Sequence, residues 1–194
     1  MHNELFNASI PDKSVYVNRM DITKIDTISN TIFFDNIKIQ NITDILIDVC
    51  KRIFLEAYNN EGREAGAIIN IHTGELAIHK ATMYNAVDFN DDYDADYYKI
   101  AQNSSKNSCI VIHTHNNYQG FSLVDIKTFL SDDMTVCIMV IKADASINIM
   151  VKPRNNYSKI IKYLEEIYKF DVITPDIREM LKNYGLIERS LKHD

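Results

Sequence analysis

The stretch SCIVIHTHNNYQGFSLVDI, Ser108 to Ile126, decides how the fold is read. It opens on Cys109 to Ile112, an unbroken apolar run of strand length, as expected of a strand covered on both faces. It closes on Ser122, followed three positions later by Asp125, with Leu123, Val124 and Ile126 around it. That is the pattern of a helix with a serine N-cap and an acid in its first turn. Between strand and helix stand His113 and His115. In an extended backbone residues i and i+2 point to the same side, so the two imidazoles can converge at the strand end.

Working outward, TVCIMVIKADASINIMVKP (135–153) reads as two further strands with a turn at Lys142 to Ala145. Upstream, AGAIINIHTGELAIHKAT (65–82) reads as a hairpin around His72-Thr73-Gly74-Glu75, where glycine supplies the positive φ such turns need. Ile42, Ile45, Leu46, Val49, Cys50, Ile53 and Phe54 recur at helical spacing, and this helix is expected to stop near Asn59-Asn60-Glu61-Gly62. DFNDDYDADYY (88–98) is an acidic connection into a short helix around Tyr97 to Gln102. A second helical stripe runs from Tyr157 through Ile160, Ile161, Leu164 and Ile167 to Tyr168. Thr174-Pro175-Asp176 is a helix start, with Gly185 as its C-cap.

This order predicts an α/β protein with a mixed central β-sheet flanked by helices. We divide the chain into an N-terminal extension, residues 1–40, a central domain that carries the histidine pair, residues 41–170, and a C-terminal helical segment, residues 171–194. The extension alternates weakly, with SVYVNRM (14–20) and TIFFDNIKI (31–39) as candidate strands.

Of 194 residues, 46% are hydrophobic and 25% charged, a globular composition. A net charge of −6 weighs against nucleic acid as a partner, because no global field attracts phosphate. Cys50, Cys109 and Cys137 form no paired spacing and read as buried reduced thiols. MHNELFNASIPDKS lacks the charged start and apolar core of a signal peptide, and apolar runs such as 136–141 fall far short of the ~20 residues that span a bilayer. The expectation is a soluble, cytoplasmic protein with no membrane partner.

A catalytic zinc takes three protein ligands and keeps a fourth position open. With His113 and His115 as two, Asp125 is the candidate third, reaching back from the first helical turn. Ser122 and Asp125 also have a purely structural reading as a capping arrangement, favoured by the helix dipole without any metal.

Taken together, HTHNNYQGFSLVD (113–125) resembles the H-x-H…S-x-x-D signature of the JAMM (MPN-type) zinc metalloproteases, nearest to their bacterial, phage and RadC-like members. The resemblance covers about Glu64 to Met150. It implies a three-layer sandwich of the cytidine-deaminase-like kind and one Zn2+ per chain, held by His113, His115 and Asp125. It also implies Ser122 as an oxyanion donor. The family's upstream glutamate, which holds and deprotonates the attacking water, falls on Glu64 in GREAGAIINI (62–71), with Glu61 as the fallback. The implied activity is hydrolysis of a peptide or isopeptide bond in a protein or peptide substrate. The rival expectations are a catalytically inactive JAMM-like binding module and a RadC-like, DNA-associated role. Two features depart from the commonest family pattern. Asn116 follows the second histidine where proline is usual, and the spacer to Ser122 is one residue shorter.

Other signals carry less. Asp92, Asp94 and Asp96 alternate like a calcium loop, but Tyr97 stands where the glycine is needed and Asn103 where the glutamate is. His72 and His79, flanking the hairpin turn, read as surface residues. KPRNNYSK (152–159) is an ordinary basic surface cluster.

Overall fold

The computed structural model describes residues 20–30, 42–80, 87, 95–152, 162, 163, 165, 173–183, 185, 186 and 188–191. The described chain begins with a 3-10 helix, Ile22–Asn30, and a long helix α1, Ile42–Asn59. A hairpin follows, β1 (Gly66–Asn70) and β2 (Leu76–His79), then helix α2 (Ala95–Asn103) and strand β3 (Cys109–Thr114). Helix α3 (Leu123–Ser131) crosses to β4 (Thr135–Ile141), which turns into β5 (Ile147–Val151). Helix α4 (Pro175–Asn183) and a short strand β6 (Arg189–Leu191) complete it.

The six strands form one sheet in the order β2-β1-β3-β4-β5-β6. β3 and β4 run parallel, and the neighbours on either side are antiparallel. A parallel pair needs a crossover, and α3 supplies it. The sheet is therefore mixed, with helices on both faces, as the element order predicts.

The core divides by the period-two alternation of the strands. On one face Ala67, Ile69, Ile110, Ile112, Met139 and Ile141 pack under α1 and the 3-10 helix, with Leu46, Val49, Cys50, Ile53 and Phe54 from α1. Ile45, on the edge of that stripe, stays 38% exposed. On the other face Ile68, Cys109 and Val111 meet Tyr97 and Ile100 of α2. Ile138, Val140 and Met150 on that face meet Ile126, Phe129 and Leu130 of α3 and Ile177 and Leu181 of α4. β3 is thus buried on both faces, which is why it carries no polar residue until His113. Met20 and Ile28 are buried in the same core as α1, so residues 20–30 of the N-terminal extension pack as part of the body.

Turn chemistry agrees with the sequence at three places. The β1–β2 turn has Gly74 at φ +76° with open space where a side chain would go. Helix α4 starts at Thr174, whose hydroxyl accepts from the Ile177 amide, and ends with Gly185 at φ 84°. There the amides of Gly185 and Leu186 bond back to the carbonyls of Lys182 and Leu181, a Schellman closure. β2 and β6 bring two differences. His79 is not a surface residue: it is 3% exposed, because β2 extends to it and pairs it with Gly66, turning its ring to the α2 face. β6 was not expected from its polar sequence, and it forms by pairing with β5.

The candidate strands SVYVNRM (except Met20) and TIFFDNIKI lie outside the described residues, as do all six residues of the Tyr157 to Tyr168 stripe, the start of the acidic connection and all of KPRNNYSK after Lys152. Among the described residues no helix is long and apolar enough to cross a membrane.

Candidate metal centre

One register row of the sheet positions the site. Gly66 of β1 lies opposite His79 on one side and His113 on the other, and His113 is in turn opposite Val140 of β4. The ladder between β1 and β3 continues past the strands: Thr114 N–H donates to the Ala65 carbonyl at 2.9 Å, and Ala65 N–H donates to Thr114 Oγ1 at 2.9 Å. This extension brings Glu64 to the level of His115, where both chains leave the sheet.

His113 and His115 converge as their spacing predicts, with Nε2 atoms 3.1 Å apart and rings tilted at 60°. Asp125 completes the group. Its Oδ1 lies 3.3 Å from His113 Nε2 and its Oδ2 3.6 Å from His115 Nε2. Among the described residues these three form a group able to hold a metal ion, with donor atoms all within 4.8 Å of one another.

The separations can be tested against the size of a metal site. Ligand atoms about 2.0–2.1 Å from a tetrahedral zinc stand roughly 3.3 Å from each other. His113 Nε2, at 3.1 Å from His115 Nε2 and 3.3 Å from Asp125 Oδ1, stands at such separations from both partners, while Asp125 approaches His115 with its other oxygen, Oδ2, at 3.6 Å. Two imidazoles and one carboxylate are also a donor set that suits zinc. The residues therefore fit the ion. Electrostatics point the same way, since two buried imidazole nitrogens this close to a carboxylate call for a shared cation, whether proton or metal.

Two of the three candidate ligands are held by a second contact. His115 Nδ1 donates to the Gln119 carbonyl at 3.2 Å, which leaves Nε2 as the nitrogen turned to Asp125 and open to a proton or a metal ion. Asp125 Oδ2 accepts the Ser122 amide at 2.7 Å, while Ser122 Oγ accepts the Asp125 amide at 3.1 Å. The capping box and the ligand reading are therefore compatible. The backbone bond orients the carboxylate, and Oδ1 is left toward His113. Ser122 accepts through its oxygen, so its hydroxyl hydrogen is still available to donate.

Charge states follow from burial and these contacts. Burial works against an ionised Asp125, but the facing His113 and the hydrogen bonds from both histidines hold its carboxyl well below the usual range. Burial also disfavours charged His115, and the Asp125 bond with the Glu64 and Asp125 charges outweighs this and raises its pKa. Glu64 is 6% exposed. Burial pushes its carboxyl from 4.5 to about 7, with His115 opposing the shift and Asp125 adding to it. A carboxyl poised near neutrality beside a candidate metal site suits proton transfer.

The fallback Glu61 lies elsewhere. It sits at φ 61° in the turn after α1, pairs with Arg63 at 3.8 Å and is partly exposed. Asn116, the departure from the family pattern, is buried and donates from Nδ2 to the Gly62 carbonyl at 3.1 Å. It ties the loop after His115 to the turn that presents Glu64. Sequence reasoning missed Gln119 as well, and no side-chain signal marks it, because it acts through its carbonyl. In comparisons with known proteins the chain matches no family model, no curated protein and no solved structure.

Proposed function

We propose that the protein is a zinc-dependent hydrolase of the JAMM type that cleaves a peptide or isopeptide bond. The observation that carries this reading is the convergence of His113, His115 and Asp125 at zinc-like separations, with a buried glutamate raised to about 7 electrostatically coupled to two of them. Zinc held by these three residues supplies Lewis acidity to a water and to a scissile carbonyl at neutral pH.

The chain's own groups do the rest. Glu64 takes the proton from the attacking water and delivers it to the departing amine. Ser122 donates its hydroxyl hydrogen to the oxygen of the carbonyl under attack as charge develops there. The Gln119 carbonyl and the Ser122 amide keep His115 and Asp125 in place while this happens. The fold reading of a JAMM-like three-layer sandwich is supported by helices on both faces of a mixed sheet and by the position of the histidine pair at the end of β3. The reading is tested with Glu64→Gln, which should keep its zinc and lose hydrolysis of peptide and isopeptide substrates. Undiminished activity in that variant removes Glu64 from the mechanism.

A further inference from the structure

The loop from His115 to Ser122 bears on a part of the chain the sequence gives no reason to connect with it. A Cβ at Gly120 would run into Asn148 Nδ2 and Glu188 Oε1, so the loop backbone lies directly against the ends of these two side chains, and a larger residue here must displace them. Those two groups are bonded to each other, Asn148 Nδ2 donating to Glu188 Oε1 at 2.5 Å across 40 residues of sequence. Glu188 Oε2 in turn pairs with Arg178 of α4. Asn148 is buried, and it lies opposite Val140, which lies opposite His113. Gly120 is flanked by the two orienting contacts of the metal centre: Gln119 carries the carbonyl that holds His115, and Ser122 carries the amide that holds Asp125.

We propose that Glu188 is a positioning residue for the metal centre. Bridging Arg178 and Asn148, it forms a polar floor under Gly120 that fixes the backbone from Gln119 to Ser122, and through it the orientation of His115 and Asp125. The C-terminal segment would then complete the site. This inference rests on the zinc reading above. Outer groups that orient metal ligands typically contribute 10–100-fold to metal affinity.

The test uses the full chain, stripped of metal, with Zn2+ affinity measured against a competing chelator and the Co2+ absorption spectrum recorded as a report on ligand geometry. Glu188→Ala and Gly120→Ala should each weaken Zn2+ binding roughly 10–100-fold and change the Co2+ band. Glu188→Gln, which keeps the acceptor for Asn148, should stay within a few-fold of wild type. Gly120→Ala pushes against the ends of two side chains, so it perturbs the floor even if Glu188→Ala folds poorly. Wild-type affinity and an unchanged Co2+ spectrum in both alanine variants would overturn the proposal while leaving the zinc site standing. Failure of the wild type itself to bind Zn2+ would remove the zinc reading, and this one with it.

Discussion

Asp125 accepts the Ser122 amide at 2.7 Å through Oδ2 and faces His113 Nε2 at 3.3 Å through Oδ1. One carboxylate thus both closes the helix cap and completes the candidate ligand set. The two roles separate by substitution. Asp125→Asn keeps an acceptor for the amide but loses the charge, whereas Asp125→Ala loses both. In metal-free protein Asp125→Ala should be less stable than Asp125→Asn by about 1 kcal/mol, the usual value of a cap. Both should lose more zinc affinity than the roughly 10–100-fold cost of an outer partner. Calorimetric unfolding and chelator competition measure the two quantities independently.

Ser122 caps the helix and, in the proposed mechanism, is also a hydrogen-bond donor. Ser122→Ala should lower stability by about 1 kcal/mol through the lost cap and still bind zinc. If the hydroxyl serves the oxyanion, turnover of a cleavable substrate falls roughly 10²–10³-fold. A variant that loses only the stability would confine Ser122 to capping.

The carboxyl of Glu64 makes a prediction about pH. Its folded pKa of about 7 lies above the ordinary 4.5. Between those values the metal-free folded state holds a proton that the unfolded state has released, so stability falls as pH rises from 4.5 to 7. The full difference is about 3 kcal/mol. Glu64→Gln should flatten this interval. Asp125 acts at lower pH, where its contribution disappears as pH falls through its depressed folded value. His115 acts above 6.5, its contribution being lost as pH rises through its raised folded value. Unfolding free energies between pH 4 and 8 for wild type and Glu64→Gln compare the slopes directly.

Asn116 joins the two chains that carry His115 and Glu64 through its bond to the Gly62 carbonyl. Removing a partner from a buried hydrogen bond costs about 1–3 kcal/mol. Asn116→Ala should lose that much in a denaturant melt. A loss well under 1 kcal/mol would show that the loop is held by its other contacts.

What was legible in the sequence was local. The apolar run of β3, the i, i+2 histidines and the Ser122 cap all lie within nineteen consecutive residues, from Ser108 to Ile126, and their geometry depends mainly on strand and helix periodicity. Glu64 could be expected beside His115 only through the family resemblance, because what places it there is the pairing of Gly66 with His113. The turn near His79 in sequence points to an exposed residue. Its burial is set by the strand it joins. The Asn148–Glu188 contact beneath Gly120 has no signal at all in the sequence. It forms because β6 docks beside β5, and polar residues at that distance leave no periodic trace.

The central claim is a metal site, and zinc content per chain tests it most directly. Protein purified without chelator or histidine tag should carry close to one zinc, and His113→Ala and Asp125→Ala should carry little. Wild-type protein that stays free of zinc even after the ion is added back would contradict the account. His113, His115 and Asp125 would then be a proton-linked cluster at a strand end, beside a capped helix.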